Sequence, residues 1–321
     1  MKNKIILIFA LILSVPALMA VILLLTGAKT VKVDTGNGES YMAALENVNV
    51  NDIEQEIRNQ HTSSVDQTEE DTDNSKDELE TTIEETTELP TEAPTSAPDI
   101  PVQAVEPVSL VSEAGFIYSA IGSYNPYTFD EAKAAATAEA LANGTVSYRE
   151  VFATSVFVGD SVMDGFDVYM HFPYTYTEVG ASMSKHLPSV IDNIISNYPE
   201  YVFIRYGVNE MDVTEEAAAN FANKFKSYIR KLKNNLPDTK IIVMGLTPVG
   251  PSAIARDNRF ANVAMYNAKI KTFCMELGVG FYENSYLFLE HTDLYSKDGI
   301  HIQHKMYEIW LRDLVTRMGI Y

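Results

Sequence analysis

Three short motifs in the second half of the chain bring together a hydroxyl, an amide and an imidazole: Gly159-Asp160-Ser161, Gly207-Val208-Asn209 and Asp298-Gly299-Ile300-His301. A serine hydroxyl is a poor nucleophile at neutral pH and attacks an acyl carbon only as a nearby base takes its proton. His301 is the candidate base. Asp298, three residues earlier on a loop, can turn back to accept the proton of the other ring nitrogen. That contact fixes the tautomer and stabilises the imidazolium that forms during attack.

The elements around these motifs give them a common location. The apolar run Ser155-Val156-Phe157-Val158 reads as a short buried strand, so Ser161 falls just past its carboxyl end. Gly207-Val208-Asn209 likewise follows the strand-like run from Tyr201 to Tyr206. In open α/β sheets ligands bind outside the carboxyl ends of the strands, so two polar motifs there can face one crevice. Each motif alone is also a turn or helix-cap signal. Their joint occurrence, each beyond a strand or turn signal, is what points to chemistry.

In these residues the chain resembles the SGNH (GDSL-type) hydrolase family, whose members carry catalytic Ser, Gly, Asn and His in four separated blocks. The blocks match Gly159-Asp160-Ser161-Val162-Met163, then Gly180 in Thr175-Tyr176-Thr177-Glu178-Val179-Gly180, then Gly207-Val208-Asn209-Glu210, then Asp298-Gly299-Ile300-His301. The resemblance covers roughly Phe152 to Tyr321. It implies Ser161 as nucleophile with Asp298 and His301, and an oxyanion held by the backbone N–H groups of Ser161 and Gly180 and the side-chain amide of Asn209. Glu210 stands where many members of the family have Asp.

Other chemistries find little support. The nucleophile elbow of α/β-hydrolases requires Gly-x-Ser-x-Gly, but Met163 stands two residues after Ser161. Dinucleotide-binding, phosphate-loop and zincin signatures are missing from the sequence, so no cofactor or metal is expected. His61, His171, His186, His291 and His304 lack metal-ligand spacing and read as surface or packing residues, although His304 is close enough to His301 to line the cleft. The single cysteine, Cys274, follows the buried face of a helix with Val263, Ile270, Phe273 and Leu277, and reads as a core residue.

The first third of the chain bears on location. After Lys2 and Lys4, Ile5 to Thr26 carry no charge, and at ~1.5 Å rise per residue such a helix crosses a ~30 Å hydrocarbon core. This is long for a removable signal segment, so residues 1–32 are expected to form a membrane anchor, with Thr26-Gly27-Ala28 as a possible cleavage site. The basic amino terminus favours a cytoplasmic start and an outward-facing catalytic half. Residues 33–107 hold 20 Asp and Glu against Arg58 and Lys76, a net charge of −18, with Thr, Glu, Ser and Pro prominent. Such a segment cannot bury enough apolar surface to offset its ordering entropy and is expected to be a disordered stalk, with an end-to-end distance of roughly 45–50 Å.

The whole-chain charge of −20 is therefore concentrated outside the catalytic region, since residues 108–321 carry only −6, from 18 basic and 24 acidic groups. No basic footprint is present, which argues against nucleic acid. Strand-like runs at 155–159, 175–179, 201–206, 240–246 and 279–282 alternate with helical spacing at 184–197, 215–235, 259–277 and 303–318. Strand alternating with helix implies a parallel sheet covered on both faces, a three-layer α/β/α domain. The family resemblance makes that sheet five-stranded and flavodoxin-like. Residues 108–150 are expected to extend its amino-terminal edge, with an Ala-rich helix between Phe129 and Asn143.

The expected protein is thus a membrane-tethered extracytoplasmic serine esterase acting on short acyl esters, chiefly O-acetyl groups of cell-surface or environmental polysaccharides. Two alternatives stand beside it. One is an O-acetyltransferase of wall glycans served by a separate membrane acyltransferase partner; the other is a catalytically silent glycan-binding module.

Overall fold

A computed structural model describes residues 99–321 of the 321-residue chain; the expected anchor and most of the expected linker lie outside the described residues. A two-stranded antiparallel hairpin, β1 (Ser109–Val111) and β2 (Ile117–Ser119), comes first. Helices α1 (Glu131–Ala142) and α2 (Tyr148–Val151) follow. The central sheet is built from β3 (Ser155–Gly159), β4 (Thr175–Thr177), β5 (Tyr201–Arg205), β6 (Lys240–Met244) and β7 (Gly280–Tyr282). All its pairings are parallel and its order is β4-β3-β5-β6-β7. This is the flavodoxin-like order, in which the chain reverses direction across the sheet between β3 and β5.

Every residue of β3 and β5 is buried, which explains their nearly unbroken apolar sequences: both faces of a parallel sheet are covered by helices. Between strands run α3 (Gly165–Val168), α4 (Met183–Ser196), α5 (Glu215–Asn235), α6 (Pro251–Arg256) and α7 (Val263–Leu277). After β7 come α8 (Ser285–Leu289) and α9 (His304–Met318). Helices α4, α5 and α7 pack together on one face, while α1, α3 and α9 pack together on the other. Beneath α3 and α9, Phe157 stacks on Phe172 and Phe203 at ring separations of 4.8 and 4.9 Å.

The main elements fall where periodicity places them, with two local differences. The stretch expected as one helix over 259–277 is a 3-10 turn (Asn258–Asn262) followed by α7. Asp257 drives the break by accepting the Arg259 N–H with its side chain, which sets up a separate turn. The structured region also begins before the expected boundary at 108. Asp99 pairs with Lys226 at 2.5 Å and Arg230 at 2.7 Å, and the Val105 N–H donates to Thr272 Oγ1 at 2.9 Å, so residues 99–107 lie along α5 and α7.

The extension at 108–150 closes the exposed side of the sheet. Tyr124 exchanges two 2.8 Å backbone hydrogen bonds with Phe281 of β7, and Ile117 bridges Val249. The β7 edge would otherwise present unpaired backbone groups to solvent. Among the described residues no helix is long and apolar enough to cross a membrane.

Candidate active site

The three motifs converge at the carboxyl edge of the sheet. Ser161 lies two residues past the end of β3, Gly180 three past β4, and Asn209 four past β5. Because β3 sits between β4 and β5, the serine turn is flanked by the two loops that carry Gly180 and Asn209. The loop 295–303 brings His301 back across this edge, with its Nε2 2.8 Å from Ser161 Oγ. Its Nδ1 lies 2.5 Å from Asp298 Oδ2.

The Asp298 carboxylate shapes its own loop as well as the imidazole. Oδ1 accepts the backbone N–H groups of Ile300 and His301, at 2.9 and 3.0 Å, which frees Oδ2 for the ring. Between Asp298 and Ile300, Gly299 adopts φ 74°, and a Cβ there would lie 2.6 Å from Ser252 Oγ, so only glycine fits this tight turn. With the Nδ1 proton facing the carboxylate, Nε2 is the acceptor for the serine hydroxyl.

Electrostatics reinforce this polarity. Burial raises the Asp298 pKa, but the hydrogen bond and charge of His301 and the two backbone donors outweigh it and hold the carboxyl down at about 2. Burial opposes the imidazolium of His301, whereas the Asp298 hydrogen bond and charge favour it and leave its pKa above the ordinary value. The Asp298 side chain is only 10% exposed, while His301 keeps 30% of its surface open to an incoming substrate.

The loops expected to hold the oxyanion are braced through consecutive residues. Asn209 Nδ2 donates to the Ala181 carbonyl at 2.9 Å, joining the block-three loop to the loop that holds Gly180. An amide nitrogen has two N–H groups, so this bond orients the side chain and leaves the second donor. Glu210 reaches the same place, its carboxylate accepting the Met183 N–H at the start of α4. Burial pushes the Glu210 pKa up to about 7. Gly180 itself is exposed on its loop with φ 74°.

The pair Arg205 and Asp160 was not singled out by its sequence. Arg205 Nη1 lies 2.7 Å from Asp160 Oδ1, and both side chains are fully buried. The same oxygen accepts the Val162 N–H at 3.1 Å, wrapping the turn that presents Ser161. Arg205 also donates to Thr247 Oγ1 at 3.4 Å. A charge inside the apolar strand run Tyr201–Tyr206 was the available signal, but its partner lies 45 residues away.

The remaining polar residues take structural places. His186 is buried with Nδ1 2.6 Å from the Tyr206 hydroxyl, Cys274 is buried with its thiol pKa raised by burial, and His304 lies exposed at the first turn of α9. Among the described residues no cluster of His, Cys, Asp and Glu is placed to hold a metal ion.

A serine, an imidazole and a buried carboxylate in hydrogen-bonded series, beside loops supplying amide donors, define a serine hydrolase of acyl substrates. Residues 179–309 match the family model described as the GDSL-like Lipase/Acylhydrolase family, so this part of the chain is similar to serine ester hydrolases of the GDSL type. Similar solved structures include a GDSL-like lipase from Bacteroides thetaiotaomicron VPI-5482, with 17% identity over 57% of this chain and 97% of that one and a TM-score of 0.42. A catalytic mutant of an acetylxylan esterase from Geobacillus stearothermophilus shows 15% identity over 51% and 94% of the two chains, with a TM-score of 0.37. The lipase/acylhydrolase from Enterococcus faecalis shows 12% identity over 52% and 98%, with a TM-score of 0.39. No curated protein matches the chain.

Proposed function

We propose that this esterase removes short acyl groups, foremost O-acetyl, from cell-surface or environmental polysaccharides while held at the outer face of a membrane by residues 1–32. The observation that carries the mechanism is the continuous series Ser161–His301–Asp298, with links of 2.8 and 2.5 Å. His301 Nε2 takes the Ser161 proton as Oγ attacks the ester carbon. The carbonyl oxygen becomes an oxyanion received by the N–H groups of Ser161 and Gly180 and the second amide hydrogen of Asn209. As the ester C–O bond breaks, the imidazolium gives its proton to the departing alcohol. Water, deprotonated by the same imidazole, then releases the acid from acyl-Ser161.

Short acyl groups suit the packing under the nucleophile, where Val162, Met163 and Phe166 are fully buried and fill the space themselves. A polymeric alcohol suits a base that remains 30% exposed at the sheet edge. The mild −6 charge of residues 108–321 suits a neutral glycan better than an anionic one.

The test is acetate release by the full-length chain from p-nitrophenyl acetate and from an acetylated glycan fragment, with the unacetylated acceptor present and Ser161→Ala run in parallel. Ser161-dependent release to water is expected; transfer of acetyl to the acceptor would establish the transferase instead. Full activity in a folded Ser161→Ala protein would overturn the mechanism. Tethering is checked on mature protein, where an amino terminus at Lys29 or beyond would show cleavage and release.

A further inference from the structure

The direction of proton transfer tells which side of the site the alcohol half of the ester occupies. The oxyanion belongs with the loops after β4 and β5, which lead into α4 and α5 on one face of the sheet. The leaving oxygen must lie within hydrogen-bond reach of His301 Nε2, because that nitrogen returns the proton. His301 lies three residues before α9, which packs with α3 on the opposite face. An alcohol leaving over the start of α9 would meet its first residue, His304.

A ladder of rings stands there. The exposed His304 imidazole lies on the Tyr169 ring with centroids 4.9 Å apart and planes only 15° from parallel. Tyr169 rests against Tyr307 at 5.5 Å. Tyr307 is buried, and its hydroxyl donates to the carbonyl of Val162, next to the nucleophile, at 2.8 Å. The outer ring is thus fixed in orientation through two others to the turn that presents Ser161. An aromatic plane held flat and open, three residues along the chain from the base, offers its face to the C–H surface of a saturated ring, with little ordering cost on binding.

We propose that the Tyr169–His304 pair is the platform for the alcohol half of the substrate, and that this half is a sugar ring stacked on the His304 face. The inference rests on the carbohydrate-ester reading above and adds the residues that would select for it. In the reaction the Ser161 Oγ–acyl bond forms, the ester C–O bond breaks, and the proton lost by Ser161 leaves on the sugar hydroxyl, so the stacked ring is the departing product.

The experiment compares kcat/KM of the full-length chain for a mono-acetylated methyl glycoside and for methyl acetate, and follows the ratio of the two. Wild type is expected to favour the glycoside. His304→Ala and Tyr169→Ala are each expected to lower the ratio about two- to tenfold, the range of one aromatic stacking contact, mainly through KM of the glycoside. His304→Phe, which keeps a flat ring, is expected to keep the ratio. A wild-type preference that survives in both alanine variants would overturn the platform while leaving the carbohydrate reading intact. Loss in His304→Phe equal to that in His304→Ala would overturn stacking as its basis. A wild-type ratio of one or below would refute the carbohydrate reading and the platform with it.

Discussion

Replacing Arg205 by Met leaves the Asp160 carboxylate fully buried with the Val162 N–H as its remaining donor. Removing one partner of a buried ion pair costs about 3–5 kcal/mol, most of it the desolvation of the charge left behind. For a urea slope of about 2–3 kcal/mol/M this moves the unfolding midpoint down by about 1–2.5 M. Asp160→Asn should cost a similar amount by stranding the guanidinium. The double variant should be more stable than either single, with a coupling of about 1–3 kcal/mol, because it buries two neutral groups. The pair also acts on the base with opposite signs: Asp160 raises the His301 pKa and Arg205 lowers it. His301 must be neutral to accept the serine proton, so kcat/KM rises with pH through its pKa. Arg205→Met should move that acid limb to higher pH, Asp160→Asn should move it to lower pH, and the double variant should return it towards wild type. Limbs that move in the same direction, or single variants within about 1 kcal/mol of wild type, would refute this account of the pair.

Three further substitutions probe the remaining parts. Asn209→Ala is expected to lower kcat about 100- to 1,000-fold with KM little changed, as loss of one oxyanion donor does; an effect confined to KM would remove it from that role. Asp298→Asn should lower kcat about 10,000-fold, as in other triads, and shift the acid limb to lower pH, since the carboxylate holds the His301 pKa up. It should also flatten the stability profile in acid: the depressed Asp298 pKa contributes stability above 3.8 that is lost as pH falls towards about 2, and urea unfolding at pH 2–5 measures it. Asp99→Ala should change stability by only about 0–1 kcal/mol, because its pairs with Lys226 and Arg230 are partly exposed; a larger loss in thermal unfolding would give the 99–107 segment a structural part that these pairs do not explain.

The centre of the sheet was legible in the sequence because β3 and β5 are buried on both faces and therefore read as nearly continuous apolar runs. The long helices were legible from one-sided spacing such as Phe221, Phe225, Ile229 and Leu232 in α5, all buried. The β1–β2 hairpin was not legible. Its strands have three residues each, β1 is exposed throughout, and its anchor is the pairing of Ile117 with Val249 more than a hundred residues on. The segment after it was not legible for the same reason, since Tyr124 is held by Phe281 and Tyr127 by Ile241. Ser161, Asn209, Asp298 and His301 could be put forward as candidates because residue type and local spacing mark them, and the structure brings Ser161, His301 and Asp298 into one hydrogen-bonded series. What holds them could not, because Arg205 becomes intelligible only once β3 and β5 are paired.

Adjacent strands thus serve different parts of one reaction. The β3 turn carries Ser161, the proposed nucleophile, and is tied by Arg205 at the end of β5. Four and five residues beyond Arg205, Asn209 and Glu210 fasten the loop after β4, one through the Ala181 carbonyl and the other through the Met183 N–H. A single stretch, 205–210, therefore sets the serine turn and the amide-bearing loop against each other. The glutamate at 210, where many family members have aspartate, fits this geometry: its side chain is one methylene longer and spans from the β5 loop to the first N–H of α4, which Ser182 leaves without a side-chain cap. Burying that carboxylate is what drives its pKa up, so the bracing of the donor loops is bound to a group that charges near neutral pH.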